Sequence, residues 1–342
     1  MYFAFTDEQA MIAETAKAFF AENATSDRTR AAMAVDGVDR ALWQGFTGEL
    51  GLAGVALPEE RGGAGLGMVE FAILAEQAGA QVAPLPLLAS LGLAAPAILA
   101  GGTEEQKGWL PRLAAGELVA SVAIADDGNL IAPHGAAADL FVIATGDRAA
   151  IARRDAPGLT VTPLTSMDQT RPYARIETGH AVLEPLADPH AAVAAALTMG
   201  WLAIAADALG GAQACLDRTV AYAGERIQFG RAIGSFQAVK HRLADMMVMV
   251  EQARSAVYWA ACAIDEGSEE ATFAVHAAKA FACDTYRHCA GEMIQLHGGI
   301  GFTWEHDAHL YFKRARSDAS LLGTPDWHRE QIAQLAGLDE AA

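Results

Sequence analysis

Glu225-Arg226-Ile227-Gln228-Phe229-Gly230-Arg231 and, further on, Gln295-Leu296-His297-Gly298-Gly299-Ile300-Gly301-Phe302 are the two stretches on which this sequence turns. The first closes a long helical pattern. Gly230 can supply a left-handed helix terminus, and Arg226 and Arg231 suit the negative end of a helix dipole. The same arginines can act as a phosphate clamp, because a guanidinium offers a planar fork of donors. Lys240 and Arg242 follow closely, which makes a local basic cluster in an acidic chain. The second stretch also ends a helical pattern. Its three glycines can make a plain tight turn, or they can bare backbone amides for an anion or another chain. It is neither a GxGxxG unit nor a P-loop, since no strand precedes it and no Lys-Ser/Thr follows.

Between and around these stretches the periodicity is helical. Leu197–Ala223, Phe236–Ile264 and Ala271–Leu296 each run for many turns, and Val239, Leu243, Met246, Val250 and Val257 form one apolar stripe. Helices of that length pack as an antiparallel bundle. Trp304–His309 carries a His306-x-x-His309 pair that could ligate zinc, but no third ligand stands at a sensible spacing, so no metal site is expected.

Toward the N-terminus, Thr6 with Gln9 and Thr103 with Gln106 each fit a capping box. Helices are predicted after both, and over residues carrying Leu42, Trp43, Phe46 and Leu50, over Met68–Gly79 and over Leu87–Leu99. Pro58–Gly67 reads as a glycine-rich loop. From Val119 to about Asp188 the character changes to short apolar runs separated by turn pairs. Ser121–Ile124, Leu140–Ala144, Leu159–Pro163 and His180–Leu183 read as strands of a small antiparallel sheet. The expected plan is mainly α with a small β domain: an N-terminal helical domain (1–118), a central, shortened antiparallel β domain (119–188) and a C-terminal helical bundle (189–342).

The 342 residues carry 24 basic and 42 acidic side chains, a net charge of −18. Nucleic acid and anionic membranes are poor partners for such a surface. Cys215, Cys262, Cys283 and Cys289 form no CxxC pair and read as free thiols. Met1–Phe5, followed by Asp7 and Glu8, does not read as a signal peptide, and no uncharged apolar run is expected to span a bilayer. A cytoplasmic setting follows.

Taken in order, ERIQFGRAI, FQAVKHRLADM and QLHGGIGFTWEHD resemble the C-terminal domain of the acyl-CoA dehydrogenase family. LPEERGGAGLG and TEEQKGWLPRLAAGE are similar to its N-terminal part. The resemblance implies a helix–sheet–helix fold with a C-terminal four-helix bundle, FAD held near a subunit interface, an acyl-CoA thioester substrate and an electron-transfer acceptor. It implies that Arg226, Gln228 and Phe229 contact FAD, that Gln295, His297, Gly298, Gly299 and Gly301 form the other contacting stretch, and that Thr324 is flavin-proximal. Family chemistry also needs a carboxylate to remove the α-proton while hydride passes to the flavin. One family station for that glutamate falls on Leu322 and the other on Gly200. The flavin-lining stretch of the β domain corresponds to Ala123–Asn129, which shows no counterpart to the family motif.

Three readings follow. The chain is the base-less subunit of a hetero-oligomeric dehydrogenase, completed by a Glu-bearing partner. Or it is a self-sufficient homo-oligomer with a relocated carboxylate, for which Glu292, Asp318 and Asp326 are candidates. Or it is a non-catalytic binding or scaffold protein that keeps the fold.

Overall fold

The structure is a computed structural model that describes residues 4–126 and 128–338. Met1–Phe3 of the opening segment and Asp127 of the Ala123–Asn129 stretch lie outside the described residues. In chain order the helices are α1 (Asp7–Asn23), α2 (Ser26–Met33), α3 (Arg40–Gln44), α4 (Met68–Ala80), α5 (Ala95–Gly101) and α6 (Leu110–Ala114). After the strands come α7 (Pro189–Glu225), α8 (Gln237–Asp265), α9 (Ala271–His297), α10 (Ala308–Ser320) and α11 (Pro325–Leu335). Both capping boxes close as the sequence requires. Thr6 N donates to Gln9 Oε1 at 3.0 Å and Gln9 N donates to Thr6 Oγ1 at 3.2 Å. The Thr103–Gln106 pair repeats this at 2.9 and 3.2 Å. The segment expected as one helix over Leu87–Leu99 instead begins as a π-helix, Leu88–Ala94, before α5.

By contacts the chain forms two compact units. One comprises Asn23–Phe71 and Pro84–Ala203 and contains a seven-stranded sheet. Its strands are β1 (Ala120–Asp126), β2 (Asn129–Pro133), β3 (Leu140–Thr145), β4 (Arg148–Arg153), β5 (Thr160–Leu164), β6 (Tyr173–Glu177) and β7 (Glu184–Pro185), in the order β5-β6-β2-β1-β3-β4-β7. The core of this sheet includes Val119, Ala123, Ala132, Phe141, Ile143 and Ile176. The Ser90 hydroxyl ties the π-helix to β1 by bonding both the carbonyl and the amide of Ala120.

The sheet is mixed, not antiparallel as expected. β2 and β3 both neighbour β1. β2 runs against it (Ile124↔Ile131), so the return strand β3 runs with it (Val122↔Val142). The connection that carries the chain across begins at His134, which takes a left-handed φ of 51°. His180–Leu183 is a turn and irregular chain, and the short β7 follows it.

The other unit comprises Met1–Glu22, Ala72–Ala83 and Ile204–Ala342, with α9 at its centre against α8, α10 and α11. Ala274, Val275, Ala278, Cys283, Tyr286, Ala290 and Met293 of α9 are buried. α7 approaches α4 and α9 through Gly210 and Gly211. A Cβ on Gly210 would stand 1.8 Å from the Glu76 carbonyl, and one on Gly211 would stand 2.2 Å from Tyr286 Cζ. No larger residue fits this crossing.

α7 also corrects the expectation about apolar runs. It is long enough, and apolar enough over an 18-residue window (mean hydropathy 1.7), to cross a membrane. Yet 72% of that window is buried inside the protein, so core packing accounts for its composition. Within the described residues of this unit, Asp207 on α7 pairs with Arg314 on α10 at 3.0 Å, both largely buried.

Candidate functional site

The Glu225–Arg231 and Gln295–Phe302 stretches meet at one aromatic contact. Tyr222, in the last turn of α7, stacks on His297, the last residue of α9, with ring centroids 4.3 Å apart and planes 22° apart. The Tyr222 hydroxyl donates to the His297 carbonyl at 3.3 Å. Its own carbonyl accepts from Arg226 N at 2.9 Å, and Gly298 follows His297 directly. The arginine-bearing helix end and the glycine turn therefore leave the same junction within one chain.

Past Tyr222 the chain makes a two-stranded hairpin, β8 (Ile227–Gln228) with β9 (Arg231–Ala232), registered Gln228↔Arg231. Its turn is Phe229-Gly230, both left-handed, at φ 52° and 77°. Gly230 takes that conformation freely, whereas Phe229 pays a steric cost. Phe229 is nonetheless 92% exposed and touches Phe236 edge-on at 6.1 Å. Arg231 lies over the Phe236 ring at 4.0 Å. Arg226 is exposed, and no ion pair or side-chain hydrogen bond engages its guanidinium among the described residues. Gln228 is exposed and uses Nε2 only on the neighbouring Ile227 carbonyl, at 2.8 Å.

On the other side, Gly298 has φ 64° and ψ −138°, a region that excludes side chains. It opens a short 3-10 turn, Gly298–Phe302. A Cβ added at Gly298 or Gly299 would meet nothing within 4 Å, so this backbone faces open space. Gly301 is different. Its Cβ would lie 3.0 Å from His297 and from the Ile294 carbonyl, and it serves packing. His297 is buried, and its Nδ1 donates to the Met293 carbonyl at 2.7 Å. Burial pushes its pKa down, and nearby His306 and Arg218 push the same way, so the ring is a neutral fixture of the turn. Gln295 is exposed on the same helix end. His306 packs on His297 at 4.6 Å and His309 on Trp304 at 4.6 Å, so the two rings of the His-x-x-His pair are engaged with different neighbours.

Thr324 does something the sequence reading did not foresee. It is the N-cap of α11, and its Oγ1 accepts from Trp327 N at 3.2 Å. Leu322, at one glutamate station, sits half-buried with a left-handed φ of 56°. Gly200, at the other, is buried within α7. The three alternative carboxylates differ in their surroundings. Glu292 binds Arg242 at 2.5 Å, Asp326 pairs with Arg329 at 2.8 Å on the surface, and Asp318 is fully buried.

Several residues escaped sequence reasoning. Tyr222 is one, signalled only by standing one turn before Arg226. Lys279 is another, a lone cation within Ala274–Ala282 whose Nζ bonds the carbonyls of Asp318 and Gly323. His276 and His328 meet Nδ1 to Nδ1 at 2.7 Å beside it.

Comparison with known proteins matches the model of the acyl-CoA dehydrogenase N-terminal domain to residues 6–117, and that of the acyl-CoA dehydrogenase C-terminal domain to residues 190–336. The chain is 39% identical over 331 residues to acyl-CoA dehydrogenase IpdE2 of Mycobacterium tuberculosis, covering 96% of each protein. It is 37% identical to IpdE2 of Mycolicibacterium smegmatis, covering 96% of this chain and 98% of that one. Among solved structures, the ChsE4-ChsE5 complex from Mycobacterium tuberculosis superposes with a TM-score of 0.89 at 26% identity over the whole of both chains. A variant of the Tcur3481-Tcur3483 steroid ACAD gives 0.88 at 30% identity, covering 98% of this chain and 99% of that one. Two family domains, relatives matched over nearly their whole length and a shared fold lead to one conclusion: this chain belongs to the acyl-CoA dehydrogenases, oxidoreductases whose cofactor is FAD.

Proposed function

We propose that this chain is the subunit of a hetero-oligomeric acyl-CoA dehydrogenase that lacks the catalytic glutamate and completes the FAD site of a Glu-bearing partner. The observation that carries the reading is a contrast. The cofactor-facing segments are kept and joined through Tyr222 and His297, while both base stations hold residues that cannot accept a proton, Leu322 and Gly200.

The residues present fit FAD. Arg226 offers an exposed, unengaged guanidinium suited to the pyrophosphate, and Gly298–Gly299 presents open backbone on the other arm of the Tyr222–His297 junction. Gln228 and Gln295 add exposed amides, and Phe229 adds an exposed ring held in a costly conformation. Neutral His297 supports the turn without putting a charge under it. Held by these residues, FAD would supply the hydride acceptor for the β-carbon of the thioester and the link to a separate electron acceptor. Removal of the α-proton requires a carboxylate within hydrogen-bond reach, and a partner must bring it. The relatives support this assembly: the ChsE4-ChsE5 complex is built from two different chains, and Tcur3481-Tcur3483 is a steroid ACAD. A bulky polycyclic or side-chain acyl-CoA is the substrate class that this kinship favours.

Co-expression with a neighbouring Glu-bearing dehydrogenase subunit, followed by an absorbance scan, tests the reading. Flavin should be retained by the pair and bleached by acyl-CoA, and little flavin should stay with this chain alone. A yellow homo-oligomer that acyl-CoA bleaches without any partner would refute it.

A further inference from the structure

The turn between α10 and α11 is held from beneath by a lysine. Lys279 lies in the middle of α9 and is 0% exposed. Its Nζ donates to the Asp318 carbonyl at 2.8 Å and to the Gly323 carbonyl at 3.2 Å. Asp318 belongs to the last turn of α10 and Gly323 stands just before the Thr324 cap of α11, so one amine spans both ends of the turn. A helix C-terminus is a favourable place for a cation. Even so, lysine is among the residues least often fully buried, and an apolar side chain of equal length would fill the same space without a desolvation cost.

The turn itself is strained. Leu322 has φ 56° and Gly323 has φ 105°, and a left-handed leucine persists only where its surroundings fix it. Packing fixes it from the other side as well. A Cβ at Gly323 would stand 2.6 Å from the Trp327 ring and 3.1 Å from His328 Nε2, and His328 is itself locked to His276.

We propose that Lys279 is a positioning residue: by tying the Asp318 and Gly323 carbonyls together it sets the backbone of Leu322, which stands at one glutamate station, and of Thr324, which the family resemblance places near the flavin. Its effect on the cofactor rests on that assignment. Its hold on the turn does not.

Two measurements on Lys279→Met, an unbranched replacement of similar length, separate these. In hydrogen–deuterium exchange, peptides covering 318–328 should exchange about tenfold faster or more, as expected for losing charge-assisted bonds, while α8 peptides stay unchanged. In the flavin-loaded assembly the visible flavin band should shift, with flavin content per protein preserved. Lys279→Gln, which keeps one donor on a shorter arm, should give an intermediate effect on both, and it serves alone if the Met variant does not fold. Unchanged exchange in 318–328, or acceleration spread equally over α8, overturns the proposal. Accelerated local exchange with an unmoved flavin band makes Lys279 a structural staple only and overturns the positioning role. An assembly that holds no flavin at all defeats the FAD reading instead, and the exchange result still decides the lysine.

Discussion

Arg226→Ala separates a cofactor contact from a structural one. Nothing in the fold depends on this guanidinium: it is exposed and engages no carboxylate or carbonyl among the described residues. Removing it should therefore leave the stability of the flavin-free protein within about 0.5 kcal/mol of wild type. A charge-assisted bond to phosphate contributes about 1.5–3 kcal/mol. At about 1.4 kcal/mol per tenfold, FAD affinity should fall roughly 10- to 150-fold. Arg226→Lys keeps the charge but loses the planar fork, and should fall between the two. The assay is fluorescence titration of FAD into the deflavinated assembly, alongside thermal melts of the flavin-free form. Wild-type affinity should also weaken with added salt more steeply than that of the alanine variant. Affinity within twofold of wild type refutes the assignment. So does an equal loss in the melt, since that would make Arg226 a structural residue.

Phe229→Asn should relieve about 1 kcal/mol of left-handed backbone strain, because asparagine tolerates that conformation and almost no buried surface is lost. Its melting temperature should be equal or higher while flavin retention drops; a fall in both would place Phe229 in the fold and not in the site. Burial, with Lys279 and His276 nearby, pushes the His328 pKa from 6.5 to about 3. The unfolded chain then takes up a proton below pH 6.5 that the folded chain refuses, so stability is full above that pH and is lost as pH falls from about 6.5 toward 3. Urea melts at pH 7.5 and 5.5 should differ by about 1 kcal/mol more in wild type than in His328→Leu; equal differences would count against the buried neutral pair. Asp207→Ala removes the carboxylate paired with buried Arg314 and should cost about 3 kcal/mol, most of it recovered by adding Arg314→Met. Additive losses in the double variant would contradict this.

α1 was legible because two independent signals agree in it, 3.6-residue periodicity and the Thr6–Gln9 box, whereas α8 and α9, which have no side-chain cap, were legible from periodicity alone. Strand direction was not legible. An alternating or apolar run reports which face is buried, not which way a neighbour runs, and β1 pairs with β2 and β3 in opposite senses. The apolar length of α7 was not read from the sequence; its Asp207 belongs to a buried pair. Composition alone does not distinguish a core helix from a spanning one.

In the site, the two motifs announced themselves by residue type, but their adjacency depends on Tyr222 meeting His297 across the bundle, a contact between distant positions. Thr324 shows a second, local role that was also legible. Besides the place the resemblance gives it, it caps α11, which its spacing to Pro325 and Trp327 could have disclosed. Lys279 left no periodic trace, since a single polar residue in a helical stripe reads as noise until its bonding partners are seen.

The stack of Tyr222 on His297 bears on what a ligand must supply when it binds. Both rings come from the same polypeptide, so the docking of α7 and α9 is sufficient to close the junction, with no nucleotide or second chain required. Whatever binds there meets a surface already gathered. The entropy of bringing two remote loops together has been spent in folding and is not deducted again from the encounter.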